Sequence, residues 1–397
     1  MFETVRNAFK LKEIRSRIIY TLLMLVVVRI GTQLPIPGVN GSYFSEWFSG
    51  NSGSAFGFFD AITGGSFEKM SVFALNITPY ITSSIIIQLL TIAIPKLEEL
   101  QKDGEEGRKK MTAITRYLTV ALALMESLAM AIGFGRSGLL IKFNALNVIT
   151  AVVTLTAGST VIMWIGERIT ENGVGNGISI VLVINILSRI PSDLTSLFEQ
   201  FISGKTIAKG TLAGVIIAAI IVAMVVLVVF LQGAERRIPV QYSKKIQGKR
   251  QVGGANSVIP MKVNTAGVIP VIFAQSLLQT PVIICTLLGK TGGTSFWYKI
   301  LRGMSQSNWF DPNNWIYTIG AVVYVLLIIG FAYFYTSITF NPLEIADNLK
   351  KQGGSIPGIR SGKPTSDYLQ AVLNNIIFIG AIGLSIVAII PIVFNGL

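Results

Sequence analysis

Residues 212–231 read LAGVIIAAIIVAMVVLVVFL, twenty positions without one charged or amide side chain. A helix of that length rises about 30 Å, which is the hydrocarbon thickness of a bilayer. A helix on a soluble core keeps a polar face, and this one has none. The stretch is read as a membrane span, and the rest of the chain follows the same pattern. Of 397 residues, 51% are hydrophobic and 13% charged, with mean hydropathy +0.62. Soluble proteins carry about 25% charged residues. The apolar residues come in long runs, and nine of these are candidate spans: 18–34, 71–94, 113–134, 146–166, 176–190, 212–232, 265–288, 315–338 and 370–394. The fifth is the weakest, because its apolar core is short.

The net charge of +13 is placed asymmetrically. With the N-terminus in the cytoplasm, cytoplasmic segments hold 23 Lys and Arg and external segments 9, with Arg29 inside the first span. That bias orients the chain with its N-terminus inside. The basic N-terminal run is followed by Arg29 and Pro35-Ile36-Pro37-Gly38 rather than by a small-residue cleavage site. It reads as a retained helix and not as a signal peptide. Nine spans put the C-terminus outside, and the stop at Asn395-Gly396-Leu397 straight after an apolar run suggests an interrupted chain.

Several chemistries are excluded. Histidine is absent, which removes His triads, His metal sites and imidazole switching. Cys285 is the only cysteine, so no internal disulfide or thiolate metal cluster forms. No HExxH, GxSxG or Walker A pattern occurs, and no paired carboxylates lie inside a span. Gly173-Val174-Gly175-Asn176-Gly177 lacks the trailing Lys-Ser/Thr of a phosphate loop and reads as a tight entry into the fifth span. No cofactor is expected, and the chain does not read as an enzyme.

Four features stand out against this background. The segment 53–70 interleaves Phe56, Phe58, Phe59, Ile62 and Phe67 with Gly57, Gly64 and Gly65. It is too short and glycine-rich to span, so it is either re-entrant within protein or an interfacial loop. The second span carries Asn76, Thr78, Thr82, Ser83, Ser84 and Gln88, with Ile77, Ile81 and Ile85 on one helical face. Ordinary helix packing and a watery or moving interface both fit that pattern. Glu126 sits mid-span in the third helix, where a carboxylate calls for an inward direction and a partner. Asn264 and Thr82 offer hydrogen bonds, and a structural or snorkelling role fits Glu126 as well. Finally, two long basic segments lie at about 233–264, with Lys244, Lys245, Lys249 and Arg250, and at about 340–368, with Lys350, Lys351 and Arg360. They either anchor topology on anionic lipid or form Gly/Pro-shaped docks for an acidic or RNA-bearing partner.

Taken in order, a set of motifs resembles the SecY family, the large channel subunits of the bacterial Sec protein translocon. The set runs through Arg29-Ile30-Gly31, Pro35-Ile36-Pro37-Gly38, Phe73–Ile81, Gly107-Arg108-Lys109-Lys110, Gly166-Glu167-Arg168-Ile169-Thr170 and Gly173–Ile180. It continues through Glu235–Val240, Lys262–Pro270, Asn341-Pro342, Ala346–Lys351 and Pro357-Gly358-Ile359-Arg360. The resemblance implies an all-α polytopic membrane fold of two pseudosymmetric inverted halves of five helices around an hourglass pore. Nine spans are present here, and the tenth would follow. The halves would be residues 1–204, with spans 1–5, and 205–397, with spans 6–9.

The same resemblance implies a pore ring of Ile77, Ile81, Leu182 and Ile272, with leucine at a position where isoleucine is usual. It implies a plug at about 55–65 that includes Phe56, Phe58, Phe59, Ile62, Gly64 and Gly65. A lateral gate would hold Thr82, Glu126 and Asn264, with Glu126 where glutamine is more common. The basic residues Lys244, Lys245, Lys249, Arg250, Lys350, Lys351 and Arg360 would dock a motor or ribosome. The implied activity is translocation of unfolded secretory polypeptides across the cytoplasmic membrane and lateral release of membrane segments. The implied partners are SecE, SecG, the ATPase SecA, ribosomes, preproteins with signal sequences, and lipids. A secondary transporter for a small solute is the competing reading. It would want a polar midplane site, and Glu126 alone supplies little of one.

Overall fold

The computed structural model describes residues 10–51, 60, 62–135, 138–201, 207–242, 245–247, 250–252, 256–287, 296–310 and 315–396. Nine of its helices lie over the nine candidate spans: α1 (Lys12–Gly31), α3 (Thr78–Ala93), α5 (Gly104–Gly133), α6 (Ala145–Asn172), α7 (Gly177–Phe201), α8 (Ile207–Gly233), α9 (Ile269–Leu287), α11 (Ile319–Thr339) and α13 (Lys363–Gly396). Shorter helices are α2 (Gly41–Asn51), α4 (Pro95–Lys102), α10 (Phe296–Met304) and α12 (Pro342–Lys351). Among the described residues, six helices are by themselves long and apolar enough to cross a membrane, and α3 with α4 makes a seventh if the bent pair is one span. The α1 helix carries Lys12, Glu13, Arg15, Arg17 and Arg29, and the apolar part of α9 is short.

Of the boundaries that differ from the sequence expectation, the start of the second span and the end of the fifth bear on the site. The second span begins as turns over residues 71–77, because Asn76 takes φ +50° and Pro79 occupies the first helical turn. That helix then ends at Ile94, whose extended backbone precedes Pro95, and α4 departs at 108°. The fifth span, expected to stop at residue 190, continues through Pro191 to Phe201, so Arg189 is helical rather than in a loop.

The chain divides into two compact units, Met1–Ser203 with Ile283–Thr291 and Gly204–Val282 with Gly292–Leu397. In the first, helices are joined by hydroxyl contacts. Ser83 meets Thr119 at 2.6 Å and Ser127 meets Thr156 at 3.0 Å, each inside apolar surroundings. Such polar contacts between small residues let helix backbones approach. At Gly158 the approach is extreme: a Cβ would lie 2.0 Å from the Val72 carbonyl oxygen. One apolar core of this unit holds Phe44, whose ring meets Phe67 and Phe134 edge-on at 5.4 and 5.3 Å.

In the second unit the basic segment at 233–264 is not a glycine-shaped loop but a β-ribbon. Strands β1 (Glu235–Tyr242) and β4 (Asn256–Lys262) pair antiparallel, with Ile238 opposite Ile259. Two short strands at the ribbon's far end, β2 (Lys245–Gln247) and β3 (Arg250–Val252), pair the same way. Ile238 and Val240 point inward while Arg236 and Arg237 are exposed, the period-two pattern of a half-buried strand. Strand β5 (Gly354–Ser355) adds to the free edge of β1, so both basic segments join one small sheet. Beneath it Ile238, Val240, Met261, Leu349, Ile356 and Leu369 form a common core.

Candidate functional site

In the first unit, Ile77 closes the turn before α3 and is fully buried. It shares one apolar cluster with Ile81 and Leu182, both half-buried, and with Val28, Ile162 and Val181. Three of the four expected ring residues therefore fall in one apolar cluster, Ile77 just before α3, Ile81 on α3 and Leu182 on α7. Asn76 beside them is locked from three directions. Its carbonyl accepts from the Ser159 hydroxyl at 3.0 Å, its amide donates to the Thr63 carbonyl at 3.3 Å, and its left-handed backbone is one that Asn tolerates. The fourth residue, Ile272, is half-buried in the first turn of α9, in the second unit.

The expected plug is described only from its C-terminal part. Phe56, Phe58 and Phe59 lie outside the described residues. Ile62 is half-buried, and Gly64 and Gly65 have φ of +69° and +81°. Gly64 is also tightly confined, since a Cβ there would stand 2.7 Å from the Asn185 carbonyl oxygen.

This part of the chain is organised by a residue the sequence reading passed over. Asp60 is fully buried. Its carboxylate forms an ion pair with Arg189 of α7 and accepts the Glu68 amide at 2.8 Å. Its carbonyl accepts the Gly65 amide at 3.1 Å and the Thr63 hydroxyl at 3.2 Å. The Thr63 oxygen takes the Phe67 amide in turn. The loop from Asp60 to Met70 is thus a hydrogen-bonded knot tied by one carboxylate and neutralised by one guanidinium. Arg29 of α1 approaches the same loop, and its Nη1 is buried without a hydrogen-bond partner among the described residues. A carboxylate embedded in a Gly/Phe segment was the available signal, because a buried charge demands an opposite one.

Of the expected gate residues, Thr82 is half-buried and turns its hydroxyl back to the Thr78 carbonyl at 3.1 Å. Glu126 is half-buried on α5 and has no hydrogen bond or ion pair among the described residues. Asn264, in the second unit, is buried, and both polar atoms of its side chain lack partners among the described residues. It lines a cavity of about 10 Å³ with Thr336, Gly380 and Leu384.

Of the expected docking residues, Lys350, Lys351 and Arg360 are exposed. Lys245 and Arg250 fall on β2 and β3, while Lys244 and Lys249 lie outside the described residues. Arg360 follows Gly358, which takes φ +80°, and its carbonyl accepts the Thr365 hydroxyl at 2.9 Å at the head of α13. The segment carrying Arg360 is held at both ends, since Ile356 is in the core beneath the sheet.

The protein-family model for SecY matches residues 71–397. The chain belongs to the SecY family. A protein translocase subunit SecY from Streptomyces scabiei is 44% identical over 406 residues, covering 98% of this chain and 89% of the relative. Among solved structures, one of a SecY protein, concerning a plug domain that stabilises the closed state and maintains a membrane seal, is similar with a TM-score of 0.59. It is 18% identical and covers 96% of this chain and 90% of that one. A yeast Ssh1 complex bound to the 80S ribosome is similar with a TM-score of 0.63 at 15% identity, covering 96% of this chain and 85% of that one. At such identities the structural likeness carries the fold, which is that of SecY and Sec61 channels. The SecY family accounts for the multi-pass helical architecture, and it gives no support to a small-solute transporter.

Proposed function

We propose that this chain is the protein-conducting channel of a bacterial translocase in the cytoplasmic membrane. It passes unfolded secretory polypeptide across and releases apolar segments sideways into the bilayer. The observation that carries this reading is the nearly full-length likeness to proteins named protein translocase subunit SecY. The chain is a conduit rather than an enzyme, and the work of transport comes from outside it.

The physical features fit that role. Ile77, Ile81, Leu182 and Ile272 form the pore ring. Aliphatic side chains close around an extended polypeptide without binding any one residue of it, and they resist wetting when no polypeptide is present. A charged ring would hold some substrate residues and leak ions. Residues 55–65 form the plug, and the Asp60–Arg189 knot is its fixed root. Thr82, Glu126 and Asn264 are the polar members of the lateral gate. The Asn264 amide, buried and without partners among the described residues, supports this, because a buried polar group left unsatisfied is one that changes partners at low cost. The two halves are residues 1–204 and 205–397, and the N-terminus faces the cytoplasm. The sheet of β1, β4 and β5, with Lys350, Lys351 and Arg360 around it, then faces the cytoplasm too. It docks the SecA motor and the ribosome, while SecE and SecG complete the membrane complex.

The test is reconstitution. Proteoliposomes with the purified chain, its small subunits, the motor, ATP and an unfolded preprotein are expected to render the preprotein protease-resistant in a signal-dependent manner. Uptake of small solutes without preprotein protection would sink the reading.

A further inference from the structure

The nine-residue helix α10 has two unlike faces. At 100° per residue, Phe296, Trp297, Ile300, Leu301 and Met304 fall on one side, and Lys299 and Arg302 fall opposite with Tyr298. The C-terminal part of the apolar face is used inside the protein: Met304 packs against the core of Trp309, Tyr324 and Ile328. The N-terminal part is not. Phe296 is 70% exposed and Trp297 71% exposed, their rings edge-on at 6.3 Å. The apolar stripe therefore runs past the edge of the protein.

The neighbouring turn Trp315–Thr318 extends the same surface, with Trp315 and Ile316 both largely exposed. Lys299 and Arg302 are exposed beside it, and neither has an ion-pair partner among the described residues.

The position of α10 is fixed against the end of α11. A Cβ on Gly320 would lie 1.9 Å from the Gly303 carbonyl oxygen, so the two backbones touch. The buried Trp309 indole donates to that same carbonyl at 2.7 Å, and the Asn308 amide donates to the Arg302 carbonyl at 3.0 Å. Because α11 is an apolar spanning helix, this clamp sets α10 at the level where the bilayer meets water.

We propose that α10 and the turn at Trp315 form an interfacial lipid site. Phe296, Trp297 and Trp315 enter the outer part of the acyl chains, and Lys299 with Arg302 takes the phosphate of an anionic phospholipid. The chemistry favours this occupant. Aromatic rings with a polar edge settle at the headgroup level, and a helix with basic and aromatic faces lies in the interfacial plane. Paired cations there select negative headgroups over zwitterionic ones. The site requires only that the chain sits in a membrane, so it stands or falls independently of polypeptide transport.

The test uses the purified full chain in nanodiscs containing either brominated phosphatidylglycerol or phosphatidylcholine brominated to the same extent. The Trp297 signal is the difference between the chain and its Trp297→Phe variant. Quenching of that signal is expected from both lipids, with local enrichment of phosphatidylglycerol on the order of tenfold. The Lys299→Gln/Arg302→Gln variant should lose the preference and keep the quenching, and Lys299→Arg/Arg302→Lys should restore the preference. Equal quenching of the unaltered chain by the two lipids would overturn the headgroup site. Absence of quenching would overturn the insertion. A Trp297 quenched by lipid in the chain alone but shielded from both lipids once its small membrane subunits are added to the nanodisc would mark a protein interface and overturn the whole proposal.

Discussion

Arg189→Leu is expected to destabilise the N-terminal unit by about 3–5 kcal/mol, the usual consequence of leaving one member of a buried ion pair alone. Asp60 is fully buried and Arg189 is 23% exposed, so the cost falls unevenly. Without Arg189 the carboxylate stays fully buried, with its charge uncompensated and the Glu68 amide still donating to it. Without the carboxylate charge, Arg189 is still partly exposed and has Asp193 at 3.7 Å. Asp60→Asn alone should therefore be milder, because an amide oxygen can go on accepting the Glu68 amide. The double variant Asp60→Asn/Arg189→Leu should recover most of the loss, since neither member of the pair is left as a lone buried charge. Thermal unfolding of the purified chain in detergent measures all three. Equal stability of Arg189→Leu and the unaltered chain would remove the ion pair from the account. If the knot is the root of the plug, the single Arg189→Leu variant should also admit preproteins with defective signal sequences.

Arg360→Glu is expected to reduce motor-driven export by about 100-fold or more, because reversing a charge at a docking point costs several kcal/mol. The side chain is exposed and its backbone is fixed by the Thr365 hydroxyl and by Ile356 beneath the sheet. The variant should consequently fold and insert normally. Export of a preprotein into inverted vesicles, compared with the amount of variant chain in the same membranes, separates the two. Normal ATP-dependent export would refute the docking role of this residue.

The spans were legible because length and lack of charge identify them directly: residues 212–231 need no packing information to be placed in a bilayer. The β-ribbon was harder. In Glu235–Tyr242 only Ile238 and Val240 alternate inward, and two positions of period two are a weak signal beside strong Gly and Lys turn cues. The continuation of α7 was hidden by Pro191, which reads locally as a stop although the helix continues on both sides of it. The role of Asp60 needed tertiary structure outright. Its sequence surroundings announce that a cation must come near, yet Arg29 and Arg189 were equally eligible, and only the fold brings the Arg189 guanidinium to the carboxylate. The proposed ring residues Ile77, Ile81 and Leu182 illustrate the opposite limit. Any isoleucine in a span looks like another, and it was the order of surrounding motifs that singled these out.

The central claim is that polypeptide passes between aliphatic side chains of α3, α7 and α9. Single cysteines at Ile81, Leu182 and Ile272, in a chain carrying Cys285→Ser so that no other thiol remains, test it against a preprotein arrested in transit with its own cysteine. The expected result is disulfide cross-linking at all three positions to the same short segment of preprotein, and none at Val222→Cys on the lipid-exposed face of α8. Cross-links absent from the three ring positions while the preprotein is verifiably arrested would contradict the account.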